Sequence, residues 1–148
     1  MTTSEATTNV DVNYQLVRFV RRARAYTNEH LEEIHPELDY NTFVILLAVH
    51  DSPAGVRASD LVGGLFVHKS TISRAVSMLE RLGLLDRVTD PNDGRAQLLT
   101  VPKEARGRID SFRERSYEWL GGLIADWTPE ELATFAGQLT RLNDAMEQ

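Results

Sequence analysis

The side chains of this chain best suited to chemistry are hydroxyls and cations gathered on one face of a single predicted helix. From Lys69 to Leu82 the apolar residues Ile72, Val76, Leu79 and Leu82 recur at helical spacing. Ser70, Ser73, Arg74, Ser77 and Arg81 fall on the opposite face. Small hydroxyl residues let a helix approach base edges closely, and an arginine can donate two parallel hydrogen bonds to a guanine, so this chemistry is major-groove recognition. Lys69 and Thr71, beside these hydroxyls, complete the candidate set. A second cation, Arg95, stands next to Asp93 and Gly94 at the tip of a predicted hairpin. A cationic tip can enter a narrow minor groove, where the potential is most negative. Serine and arginine also populate ordinary solvated helix faces, so the face alone leaves both readings open.

Catalytic and metal chemistry have weaker candidates. The chain has no Gly-x-Ser-x-Gly elbow, P-loop or Gly-x-Gly-x-x-Gly fingerprint. Of its histidines at 30, 35, 50 and 68, the best metal candidate is His30, with Glu33 three residues away on one helix face. A charged helix end explains that pair more simply. His50 closes an apolar helix and reads as a satisfied core histidine. Asp110, Glu114 and Glu118, four apart, read as a solvated stripe. With no cysteine, disulfides, thiolate metal sites and Fe–S clusters are excluded. No enzyme activity, cofactor or metal is expected.

These residues need elements to position them. Residues 1–10 are polar and small, and predict a frayed arm. Val12, Leu16, Phe19, Val20, Ala23, Leu31 and Ile34 predict a long amphipathic helix that His35-Pro36 ends. Asp39 is a candidate N-cap for a second helix through His50, followed by a loop over 51–55. Ser59 is a candidate cap for a short third helix through Phe66, and Gly83 suits the left-handed stop after the fourth. Strands over 84–88 and 96–101 flank the turn-rich 89–95. Pro102 opens a fifth helix carrying Ala105, Ile109, Phe112, Trp119, Leu120, Leu123 and Trp127. Thr128-Pro129-Glu130-Glu131 has the form of a capping box opening a sixth, with Leu132, Phe135, Leu139, Leu142 and Met146. The fold class is therefore mainly α, four helices, a β-hairpin and two more helices, in one continuous domain.

A formal charge of −6 runs against nucleic-acid binding, but the charge is unevenly spread. Residues 57–115 hold 11 Lys or Arg against 8 Asp or Glu, a balance of +3, and the remainder holds 5 against 14. The candidate residues lie inside the positive part. No apolar run approaches the ~20 residues of a membrane span, and the N-terminus lacks the pattern of a signal peptide, so a cytoplasmic location is expected.

The strings Ser70-Thr71-Ile72-Ser73-Arg74, Leu79-Glu80-Arg81-Leu82-Gly83-Leu84 and Asp90-Pro91-Asn92-Asp93-Gly94-Arg95 together resemble the recognition helix and wing of the MarR family of winged helix-turn-helix transcription regulators. The resemblance implies that residues 38–101 form a winged DNA-binding unit and that 11–36 and 102–148 form a helical dimerisation region. It implies a homodimer on pseudo-palindromic double-stranded DNA, with Arg95 in the minor groove and Asp93 orienting the wing tip. Repression relieved by a small aromatic effector is the implied mode of action. The effector would sit at a junction lined by Val20, Arg24, Phe43, Leu47, His50 and Phe112, with Arg24 and His50 as polar anchors. This chain departs from the pattern at His68, where many relatives carry a serine-like cap, and at Val101-Pro102 and Ala105 after the wing. The alternative is a winged-helix module that binds only protein, for which neither Arg74 nor Arg95 is needed.

Overall fold

The computed structural model describes residues 3–65 and 68–146, and the chain divides after Phe112 into two compact units. The first unit opens with helix α1 (Thr3–His30). Thr3 to Val10, expected to form an arm, are helical because nothing there breaks a helix: no Gly or Pro occurs before Pro36. Once nucleated, a helix extends at the cost of ordering one residue per hydrogen bond. The helix tightens into a 3-10 turn at Leu31–Glu33, and Pro36 then prevents its continuation. Helix α2 (Tyr40–His50) starts at the expected cap: Asp39 is extended, and its carboxylate accepts the Thr42 N–H at 2.9 Å. This helix buries Phe43, Ile45, Leu46 and Val49 and lies in the centre of the unit's core.

Helix α3 (Ala58–Leu65) begins one residue before the proposed Ser59 cap. The Arg57 carbonyl accepts the first helical N–H groups, and the Ser59 hydroxyl turns to Asp60 instead. The expected last residue of this helix, Phe66, lies outside the described residues. Helix α4 (Lys69–Arg81) buries Ile72, Ala75, Val76 and Leu79. It closes through Gly83, whose φ of +70° is the left-handed conformation expected there.

Strands β1 (Asp86–Asp90) and β2 (Asp93–Thr100) form an antiparallel hairpin with Arg87 opposite Leu99 and Asp90 opposite Asp93. Both strands sit closer to the tip than expected. Leu84 and Leu85 are apolar because they plug the core below α4, not because they pair in a strand. The loop shrinks to Pro91 and Asn92 because Asp90 accepts the Asn92 N–H and tightens the turn. Val56 adds a bridge to Leu99 on the other side of β2, so the residue just after the expected loop joins the sheet. At Gly55 (φ +86°) a β-carbon would come within 2.9 Å of Leu98 Cβ, so only glycine fits the turn into that bridge. Leu46, Val49, Ile72, Leu79, Leu84, Leu99 and Ile109 make the core of this unit, with Ile109 supplied by the start of α5 (Lys103–Leu123).

In the second unit, the rest of α5 ends at Leu123, and Trp127 stands outside the helix that was expected to contain it. Gly121 and Gly122 weaken the last turn, and the chain then bends through a turn. Helix α6 (Pro129–Met146) has the anticipated reciprocal cap: the Thr128 N–H donates to Glu131 Oε2 at 2.8 Å, and the Glu131 N–H donates to Thr128 Oγ1 at 3.2 Å. Trp127 packs edge-on against Phe135 at 5.3 Å, yet α6 buries no residue. No helix among the described residues is long and apolar enough to cross a membrane. The order of helices and hairpin is the winged helix-turn-helix order read from the sequence.

Candidate nucleic-acid interface

The amphipathicity of α4 decides which of its side chains can meet a partner. With Ile72, Ala75, Val76 and Leu79 locked into the core, Lys69, Ser70, Thr71, Ser73, Arg74 and Ser77 are all exposed. A hollow of about 360 Å³ against Ala58, Val62 and Arg87 lies on one flank of the helix. Another of about 290 Å³ against Asp39, Thr42 and Ile45 lies on the other flank. The exposed face is therefore a ridge between two depressions, a shape able to enter a groove. Arg74 donates from Nε to the Ser70 carbonyl at 3.3 Å, which lays its side chain along the helix. Arg81 belongs to another role: both terminal nitrogens reach Glu37 Oε2 at 3.3 Å, tying the end of α4 to the segment before α2. At the other end His68 occupies the N-cap with extended backbone and makes no side-chain cap, so the departure from a serine-like cap is a real loss of one bond.

On the hairpin, Arg95 is exposed on β2, within the strand and not in the turn where the sequence placed it. Its N–H donates to Asp93 Oδ1 at 3.1 Å, a bond within the tip. The principal brace was not foreseen. Arg57, at the start of α3, donates to Asp90 Oδ2 from Nε at 3.2 Å and from Nη2 at 2.6 Å, and Nη2 is 3.6 Å from Asp93 Oδ2. The Arg57 guanidinium, followed by the Asn92 N–H, holds the Asp90 carboxyl below its ordinary range, and the same bond raises Arg57 above its own. Arg57 and Asp90 are 33 residues apart, so no local pattern marks them as partners.

The residues assigned to an effector junction separate into different environments. Phe43 and Phe112 are buried and pack edge to face at 5.2 Å, Leu47 is half-buried against the core, and Val20 is exposed. Phe112 is thus core. Arg24 lies 4.7 Å over the Tyr40 ring and donates to Asn41 Oδ1 at 3.3 Å. His50 is buried, as expected of a core histidine, with Nε2 2.8 Å from Asp110 Oδ1 and Nδ1 3.2 Å from Asp51 Oδ1. Asp110 is therefore not a plain solvated acid: it ties α5 to the end of α2. His30 Nδ1 approaches the Tyr26 carbonyl at 2.8 Å and its ring stacks on Tyr26. Among the described residues no three His, Asp or Glu side chains converge as metal ligands.

Residues 37–96, which hold α2 to α4 and most of the hairpin, match the MarR family. The chain is 28% identical over 134 residues to YxaD of Bacillus subtilis (strain 168), an uncharacterized HTH-type transcriptional regulator, covering 90% of this chain and 92% of that one. It is similar to the crystal structure of MarR with a TM-score of 0.72 at 25% identity, covering 93% of this chain and 98% of the other. The fold also matches Streptococcus pneumoniae FabT, solved in complex with DNA, with a TM-score of 0.83 at 20% identity over 94% and 97% of the two chains.

Proposed function

From the MarR-family character of residues 37–96 we propose that this chain is a transcription regulator that binds double-stranded DNA as a homodimer and performs no chemical step. The observation that carries the reading is the exposed ridge of α4, where Lys69, Ser70, Thr71, Ser73, Arg74 and Ser77 stand clear beside a hairpin with Arg95 exposed. The ridge enters the major groove, with Arg74 turning to a guanine edge and Lys69 and the hydroxyls meeting phosphates and bases. Arg95 enters the flanking minor groove. The FabT complex with DNA supports this reading through the shared fold.

Two copies are joined by α1, α5 and α6, which carry exposed Val12, Val17, Leu120, Leu123, Leu139 and Leu142. A twofold dimer reads a pseudo-palindrome with half-sites roughly 10 bp apart. The regulator acts as a repressor, and a small aromatic effector near Arg24, Leu47 and His50 releases it by favouring one separation of the two α4 helices. A panel of aromatic acids that alters neither DNA affinity nor melting temperature removes the effector from this reading.

The central test is selection of bound duplexes from random DNA, followed by mobility shifts at two salt concentrations. Phosphate contacts impose a steep loss of affinity with salt. Failure to enrich any duplex, or binding indifferent to salt, replaces this function with the protein-interaction reading.

A further inference from the structure

We propose that Arg57 is the residue that positions the wing: from the start of α3 it grips Asp90 and Asp93 and thereby sets where Arg95 is presented to DNA. The inference rests on the DNA-binding function proposed above. Asp90 and Asp93 are register partners across the two-residue loop, and like charges directly opposite one another on a ladder are destabilising. They also put negative charge where a wing must approach phosphates. Arg57 answers both problems. It faces Oδ2 of Asp90 at 2.6 and 3.2 Å and Oδ2 of Asp93 at 3.6 Å. The remaining oxygens are left to the tip backbone, with Asp90 Oδ1 accepting Asn92 N–H at 2.8 Å and Asp93 Oδ1 accepting Arg95 N–H at 3.1 Å.

The grip thus runs from Arg57, the residue before α3, through two carboxylates to the backbone of Arg95 itself. Val56, the preceding residue, exchanges main-chain bonds of 2.8 and 3.1 Å with Leu99, so this segment holds the wing at its base and its tip. The Asp90 end is buried. Arg57 itself is 41% exposed, which leaves a direct phosphate contact as the rival role.

A double-mutant cycle between Arg57 and Arg95 separates the two roles. Arg57→Ala, Arg95→Ala and the double variant, as full-length proteins, are titrated on the selected duplex, with hydroxyl-radical footprints and melting curves alongside. If Arg57 acts through Arg95, the double variant binds within about twofold of Arg95→Ala, since only independent sites add. Protection is then lost at the same minor-groove positions in both single variants, which a general loss of stability does not produce. Arg57→Lys, with one nitrogen in place of the fork, falls between wild type and Arg57→Ala, and it carries the cycle should the alanine variant fail to fold. Penalties that multiply, or an Arg57 variant that binds like wild type, overturn the inference while the DNA reading stands. A wild-type protein that binds no duplex, or an Arg95→Ala variant with full affinity, overturns the reading of the wing and this inference with it.

Discussion

Arg74 and Arg95 carry the same charge but are held differently, and their loss has different signatures. Arg74 lies along an exposed helical ridge between two hollows, a place suited to base edges. Arg74→Ala should cost about 1–3 kcal/mol on the selected duplex and relax preference at one base position. Arg95→Ala should weaken all duplexes more evenly and lower the salt slope by about one, with any lost preference in A·T-rich flanks. Anisotropy titrations on single-base variants of the duplex measure both. Ser77→Asp is a useful companion, because a negative charge on the ridge should repel every duplex. The wing also has an acid dependence. Asp90's carboxyl is lowered by Arg57 in the folded chain, so its ionised form stabilises the fold above the ordinary carboxylate range, and that stability is lost as pH falls through the lowered value. Melting curves from neutral pH into acid should therefore fall less steeply for Asp90→Asn, which starts from lower stability at neutral pH. Parallel curves would mean that the Arg57 bond contributes nothing in solution.

At the scale of elements, Gly55 and Gly83 make a controlled pair. Both have positive φ, but a β-carbon at Gly83 meets open space, whereas one at Gly55 lands 2.9 Å from Leu98 Cβ. Gly83→Ala should cost about 1 kcal/mol from backbone strain alone. Gly55→Ala should cost more and should also weaken DNA binding, because relieving the clash moves β2 and the wing with it. Denaturant unfolding and titration of the two variants check this difference. The same contrast explains what was legible in the sequence. Asp39, Gly83 and the Thr128–Glu131 box were readable because each satisfies backbone groups within a few residues of itself. The inner face of α4 was readable from its spacing. The Val56 bridge, the Asp110–His50 bond and the Arg57 grip were not, since each partner is fixed only when distant segments pack. Composition suggested an arm at Thr3–Val10, but composition does not register the absence of a helix breaker. For the interface, the exposed set on α4 was legible in full, and the brace that aims Arg95 was not.

For the whole molecule, α6 offers a direct test of assembly. It buries no residue, and Leu139 and Leu142 remain 37% and 41% exposed. Leu139→Asp should therefore spare a lone chain but harm a dimer. Only about a third of each Leu139 is left to bury, so losing that burial in both copies costs roughly 1–2 kcal/mol and the dissociation constant should rise about tenfold or more, the carboxylate adding to it. Sedimentation equilibrium should find wild type dimeric at micromolar concentration and the variant largely monomeric; a folded wild-type monomer would refute the dimer. The hairpin has another consequence, for solubility. Val56 and β1 lie on opposite sides of β2, so among the described residues β1 is the outer strand and nothing pairs with its far edge. Such an edge is a template for another chain, and sheets guard it with short length and charge. β1 is five residues long, begins Asp86-Arg87 and ends at Asp90, with Arg87 clamped to Glu80 at 2.6 Å. Asp86 and Asp90, which bring negative charge to a wing proposed to meet DNA, thus have a second effect: they discourage the wings of two molecules held close together from zipping into aggregates.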